Sequence, residues 1–274
     1  MKIILSRKGF DKENGGMPSP IMPDGTLLSL PIPQKNDPNK FSRLIYGNKS
    51  YLDIIQELKP NTEISQNNEE CHLDPDLRKG LLQRERGWLP LFGQANAAET
   101  HLRNSGVTKG DLFLFFGWFR NTTEVNGKLE FVKNKATDVH IIYGYLQVGQ
   151  KFEGYDEVFK LPKQFEYHPH YMNNRKESPN NSIYVASNSL SFLPSKGGAG
   201  CFKYHDRLVL TKKGSTRSKW LLPEYFKKVK ITYHSNHSWK NDYFQSAAKG
   251  QEFVIEANRK VENWAKELIT IGSK

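Results

Sequence analysis

The stretch "CHLDPDLRKG", Cys71 to Gly80, spaces His72, Asp74 and Asp76 two residues apart. On an extended backbone these three side chains project to one side. An imidazole and carboxylates so placed can form a general acid–base set or take up a divalent cation. Asp74, before Pro75, also suits the cap of a helix over "PDLRKGLLQRE", which leaves His72 and Asp76 as the catalytic candidates. Arg78 is placed to touch a phosphate. A second polar cluster, Ser6, Arg7, Lys8 and Asp11, follows the apolar "KIIL", with Ser19 and Asp24 in the loop beyond. Arg7 and Lys8 can hold a phosphate or polarise a carbonyl, and Asp11 can accept a proton. Asp24, before Gly25, reads as a turn.

The other histidines divide by context. In "HPHY", His168 and His170 lie on one side of an extended segment and can approach a pocket as acid or base. His234 and His237 are spaced i,i+3, and His101 stands alone on a helix, which marks it as structural. No HExxH or cysteine-rich context surrounds any of them, so no metal ligand is assigned and structural zinc is not expected. "SKGGAGCF" lacks GxxxxGK[ST], so nucleoside-triphosphate hydrolysis is not supported. Its glycine amides, flanked by Lys196 and Lys203, can instead clasp a phosphate. The cofactor is left unknown.

Charge points to a polyanion. The chain of 274 residues carries a formal net charge of +11, and residues 151–274 hold 21 Lys and Arg against 12 Asp and Glu. The density peaks between Lys196 and Lys230, where Lys196, Lys203, Lys212, Lys213 and Arg217 stand among Tyr204, Trp220, Tyr225 and Phe226. Cations pair with phosphates while aromatic faces stack on bases. Arg120 is a further phosphate candidate. Two distant cysteines suggest reduced thiols. No apolar run reaches the ~20 residues of a membrane span, and the N-terminus turns polar too soon for a secretory signal, so a cytoplasmic protein without a membrane partner is expected.

These groups need elements to position them. "KIIL" reads as a strand, and the prolines at 18, 20, 23, 31 and 33 make the following segment a loop. "KSYLDIIQELKP" has one apolar helix face and ends at Pro60. A helix is expected through "GQANAAETHLRNSG", with Gly93-Gln94 at its start and the Gln94 amide free to read a base edge. "DLFLFFGWF" and "DVHIIYGYLQV" read as an antiparallel pair around an Asn126-Gly127 hairpin turn. Short strands "SIYVAS" and "DRLVLT" follow, and "GQEFVIEANRKVENWAKELITIG" reads as a closing amphipathic helix.

Two resemblances extend this reading. The segment from Gly106 to Gln150, in which "GVTKGDLFLFFGWFR" is answered by "GYLQVG", resembles the core of PUA-like β-barrels, including EVE and ASCH members. That resemblance implies a barrel mouth that accepts an extruded base, with Trp118, Phe116, Tyr143 and Tyr145 as its wall. More of the chain, in "ILSRKGFDKENGGMPSPIMPDGTLLSLPIP", "HLDPDL", "GWLPLFGQANAAETHL", "GDLFLFFGWFR", "HIIYGYLQVG" and "HPHY", resembles the third of the nucleotide-modification-associated domain families. This implies a phage or bacterial DNA-modification setting, with DNA and the enzymes of a modification or defence system as partners. The expected fold is α+β and mostly antiparallel, a PUA-like barrel or strongly curved sheet flanked by helices, in one domain over residues 1–274. The expected function is a base- or nucleotide-modifying enzyme; the alternative is a non-catalytic reader that flips and recognises a modified base.

Overall fold

The structure, a computed structural model, describes residues 1–133, 138–172, 175 and 177–272. Its strands that matter for the site are β1 (Ile3–Arg7), β2 (Glu70–His72), β3 (Leu91–Ala95), β4 (Leu112–Val125), β5 (Val139–Glu153), β6 (Asn181–Ala186) and β7 (Glu252–Ile255). Six of them form the spine of the main sheet in the order β7-β1-β4-β5-β6-β3. The pairings are antiparallel except that β1 and the short strand Ser19–Ile21 run parallel to β4. β2 belongs to a separate small sheet with Ile32–Pro33 and Asn39–Lys40.

No ladder joins the edge strands β3 and β7 among the described residues, so the sheet is not the closed barrel that one resemblance implies. It is nevertheless strongly curved. The Gln94 side chain on β3 donates to Glu252 Oε1 on β7 at 2.7 Å, so the two edges meet through side chains. The bend has a local cause: β5 shifts register between Ile142 and Gly144 and again between Val148 and Gln150, and such irregularities increase twist and curl.

The aromatic run on β4 is core on both of its faces. Leu112 to Phe116 are all fully buried. Phe113 and Phe115 meet Phe92 of β3 inside the curl, whereas Phe116 packs edge-on against Trp220 and lies along Phe253 on the other side. Double burial accounts for the unbroken apolar sequence. The outer face is covered by α4 (Arg259–Gly272), which among the described residues follows the α-helices α1 (Tyr51–Leu58), α2 (Asn96–Asn104) and α3 (Gly154–Val158). α4 buries Val261, Trp264, Ala265, Leu268 and Ile269 and is capped by Asn258, whose Oδ1 accepts from the Lys260 and Val261 amides. α1 starts with a capping box between Ser50 and Asp53 and seals a second apolar cluster containing Phe10, Phe41, Ile54 and Ile55.

Four local expectations are corrected. "PDLRKGLLQRE" is not a helix beyond the single 3₁₀ turn Lys79–Leu81, because the Asp76 backbone exchanges hydrogen bonds with Leu91 and stays extended beside β3. Gly93 and Gln94 lie inside β3 and not at a helix start; α2 begins at Asn96, in a left-handed conformation with φ of 57°. "DRLVLT" opens as a 3₁₀ turn. The C-terminal segment divides into β7 and α4, where tertiary pairing of Glu252–Ile255 with β1 overrides the helical pattern.

Candidate functional site

The fold gathers its ionisable groups at the outer side of β3. β2 ends at His72, and Asp74 follows, joined to Pro75 by a cis peptide bond. Asp74 Oδ1 accepts the Gly93 amide at 2.7 Å and lies 3.3 Å from His168 Nε2. Its Oδ2 faces His72 Nε2 at 4.0 Å. The His170 ring sits 5.2 Å from the His72 ring and 5.7 Å from that of His168. One ligand atom from each of His72, Asp74 and His170 lies within 4.8 Å of the others. Gly93 makes the crowding possible, since a Cβ there would fall 2.3 Å from the His170 ring.

Hydrogen bonding fixes the imidazole protons. Asn181 Nδ2 donates to the His170 carbonyl at 2.8 Å, which turns its Oδ1 toward His170 Nδ1 at 2.7 Å. Nδ1 therefore carries the proton, and Nε2 keeps its lone pair. His72 Nδ1 lies 2.5 Å from Asp37 Oδ2, a carboxylate oxygen that accepts its hydrogen bond, while Arg175 Nη1 donates to Asp37 Oδ1 at 3.0 Å and stands 3.1 Å from the same His72 nitrogen. In His168 the assignment reverses: Nδ1 accepts the His170 amide at 3.3 Å, so the proton resides on Nε2, which lies 3.3 Å from Asp74 Oδ1 without a hydrogen-bond partner among the described residues. Burial pushes the Asp74 carboxyl up, but His168, His170 and Lys8 outweigh it and hold the group well below the carboxylate range. Burial drives His170 well below the ordinary imidazole value against the pull of Asp74, which keeps the ring neutral.

Through β3, on the inside of the curl, lies a second polar set. Lys8 Nζ is 3.1 Å from Glu252 Oε1 and 4.5 Å from the centre of the Phe92 ring. Glu252 is almost wholly buried. Its Oε2 and the Ser6 hydroxyl have no hydrogen-bond partner among the described residues. Lys8 and Gln94 thus meet as neither motif alone indicates. Arg7 turns away and donates to the Ala248 and Gly250 carbonyls, and exposed Asp11 accepts from the Glu13 and Asn14 amides in its own turn.

Asp76 separates from His72. It is fully buried, paired with Arg84 Nη2 at 2.6 Å, and accepts the Tyr167 hydroxyl at 2.5 Å. Burial raises its pKa above the ordinary carboxylate value against the opposing effect of Arg84 and Tyr167. Arg84 also stacks over Trp88 at 4.2 Å, and Trp88 Nε1 donates to Tyr167. This network forms the floor of a groove of about 640 Å³ lined by Lys40, Arg43, Arg84, Trp88, Lys163 and Tyr167 among others. The chain links it to the histidine centre at both ends, because Asp37 precedes groove residues Pro38 and Asn39, and Tyr167 precedes His168. The sequence reading missed this groove. Its available signal was "RERGW", Arg84 to Trp88, in which cations alternate toward an aromatic ring.

The remaining candidates scatter. Arg78 donates to the Leu27 carbonyl and lines, with Asp74 and Tyr143, a cavity of about 30 Å³. This is room for a water and far from the roughly 300 Å³ of the smallest ligand pockets. Tyr143 and Tyr145 are only 3% and 4% exposed. Trp118 is half-buried beneath Arg217, whose guanidinium lies 3.9 Å from its ring. Arg120 pairs with Asp138, and Lys212 pairs with Asp242. Lys203 lies 3.7 Å from Asp24 and, with Lys196 and Tyr145, borders a shallow hollow; Lys213 is exposed. His101 contacts Thr232 and Tyr233, and His234 bonds to the Thr232 carbonyl and accepts the Ala247 amide. Neither approaches the centre as a ligand.

A curved, mostly antiparallel sheet with helices on its flanks, carrying a buried His–Asp centre and a cationic, aromatic groove, defines a mixed α/β protein. No helix among the described residues is long and apolar enough to cross a membrane. The chain belongs to the family described as nucleotide modification associated domain 3, whose model matches residues 2–256. Neither the curated proteins nor the solved structures contain a match to it.

Proposed function

We propose that this protein is an enzyme that alters a nucleobase or nucleotide, with nucleic acid, most simply DNA, as the source of its substrate. The observation that carries this reading is the convergence of His72, Asp74, His168 and His170 beside a groove lined by Trp88, Tyr167 and four cations. Aromatic faces accept a base and cations accept its phosphates. The centre handles charge and protons at the reacting group, with Asp37 holding His72 in one tautomer. Membership of a family described as nucleotide modification associated supports this reading. The enzyme reading is favoured over a base-flipping reader because Tyr143 and Tyr145 are buried and Trp118 is covered by Arg217.

The test is nucleoside mass spectrometry on free nucleotides and on DNA with unmodified, hydroxymethylated or glycosylated pyrimidines, before and after incubation with purified protein. A gained or lost nucleoside mass that disappears with His72→Ala and Asp74→Asn is the expected result. Full turnover in both variants would overturn the assignment of the centre. Unchanged masses over the whole panel, with binding that depends on Trp118, would favour the reader.

A further inference from the structure

We infer that His72, Asp74 and His170 form a binding site for one divalent first-row transition-metal ion. Three observations converge on it. The donors are two imidazoles and a carboxylate, drawn from residues 72 to 170 of the sequence, with one ligand atom of each within 4.8 Å of the others. Atoms held about 2.1 Å from a shared ion stand roughly 3.0 to 3.4 Å apart, so side-chain shifts of about an ångström complete the set.

The second observation is orientation. Each imidazole has its Nδ1 proton directed to an acceptor, Asp37 for His72 and Asn181 for His170. Both Nε2 lone pairs are left for a ligand. Metal-bound histidines characteristically carry such a partner on the opposite nitrogen, which fixes the tautomer and raises basicity. Asp74 is held in a comparable way: the Gly93 amide donates to Oδ1, near His168, and leaves Oδ2 facing His72. Third, Asp74 also lines the small cavity with Tyr143 and Arg78, and the His72 side chain is 11% exposed.

Donor chemistry selects the ion. Two imidazoles suit zinc, iron, cobalt or nickel, whereas magnesium and calcium prefer sites built of oxygen. Three protein donors leave coordination positions open for water or substrate, the arrangement of catalytic and not of closed structural metal sites. That catalytic role rests on the proposed activity, whereas binding of the ion does not.

The experiment uses the full chain without an affinity tag, stripped by chelator and titrated with Co²⁺ by calorimetry and visible absorption, then challenged with Zn²⁺, Mg²⁺ or Ca²⁺. The expected result is one Co²⁺ per chain with a ligand-field spectrum. Zn²⁺ displaces it, and millimolar Mg²⁺ or Ca²⁺ does not. His72→Ala, at a partly exposed position, loses the site while keeping the melting temperature of stripped wild type, and Asp37→Asn lowers affinity about 10- to 100-fold. Binding with no stoichiometric limit, or Co²⁺ retained at full affinity in both His72→Ala and His170→Ala, overturns the proposal. Stoichiometric Co²⁺ with no nucleoside mass change leaves the metal site standing and counts against the proposed activity alone; turnover by metal-free protein leaves the activity standing and overturns the ion's catalytic role, not its binding.

Discussion

Gly93→Ala tests the construction of the centre at its tightest point. The backbone at Gly93 lies outside the left-handed region, so alanine is conformationally acceptable there, and any effect must come from the added methyl. That methyl would lie 2.3 Å from the Cγ and Cδ2 of His170 and 2.8 Å from its Cβ. Ordinary carbon contacts need about 3.5 Å or more, so the ring must retreat by roughly 1.2 Å. Moving it breaks the hydrogen bond to Asn181 and takes His170 out of reach of His72 and Asp74. Overpacking of this kind costs about 1–3 kcal/mol, and a misplacement of about an ångström in a reacting group costs roughly 100-fold in rate. Gly80→Ala is the control: it has no atom within 4 Å and no positive φ, and is expected to stabilise by about 0.4–1 kcal/mol. Urea denaturation reads both changes as shifts in midpoint at constant slope, alongside Co²⁺ stoichiometry and nucleoside turnover. A Gly93→Ala protein as stable as wild type, with full cobalt binding and turnover, would refute the packing argument.

Further tests address the surroundings. Asp76→Asn leaves the nearly buried Arg84 without its carboxylate, and a loss of about 3–5 kcal/mol in urea stability is expected; an unchanged midpoint would show the pair to be dispensable. Trp88→Ala removes an aromatic wall of the groove and should raise KM for the nucleotide substrate roughly 5- to 150-fold by loss of stacking, whereas an unchanged KM would place the substrate elsewhere. Burial, then Arg217 and Arg7, depress the His140 imidazole to about 3. Between that value and the ordinary 6.5 the unfolded chain binds the extra proton, so this contribution to stability is complete above pH 6.5 and falls as the pH drops, by up to about 1.4 kcal/mol per unit. His140→Gln should flatten that part of the profile, and a variant with an undiminished slope would exclude His140 as its source.

Much of the secondary structure is local and therefore legible. The capping box at Ser50 and Asp53, the Asn126-Gly127 turn with both φ angles positive, and the apolar runs of β4 and β5 depend on neighbours within a few residues. Errors arose where a distant partner overrode local preference. Asp76 is extended because Leu91 pairs with it, and Glu252–Ile255 is a strand because β1 supplies the other half of the ladder. In the site, residue type marks His72, Lys8 and Gln94, but Asp74 before Pro75 has the pattern of a cap, whereas its carboxylate faces Gly93 and His168.

By itself the sequence determined the chemistry on offer: a basic chain, an alternating His-Asp-Asp stretch, paired histidines around a proline, and a run of aromatics too apolar to leave the core. It also carried the family, through motifs spread over most of the chain. Only the tertiary structure decided which groups meet. Asp37, His72, Asp74, His168, His170, Arg175 and Asn181 come together from three distant segments. The reason is physical: periodicity reports which face of an element a side chain occupies, whereas a binding centre is fixed by how those faces are folded against one another. Here that depends on the curl of one sheet and the absence of a side chain at Gly93.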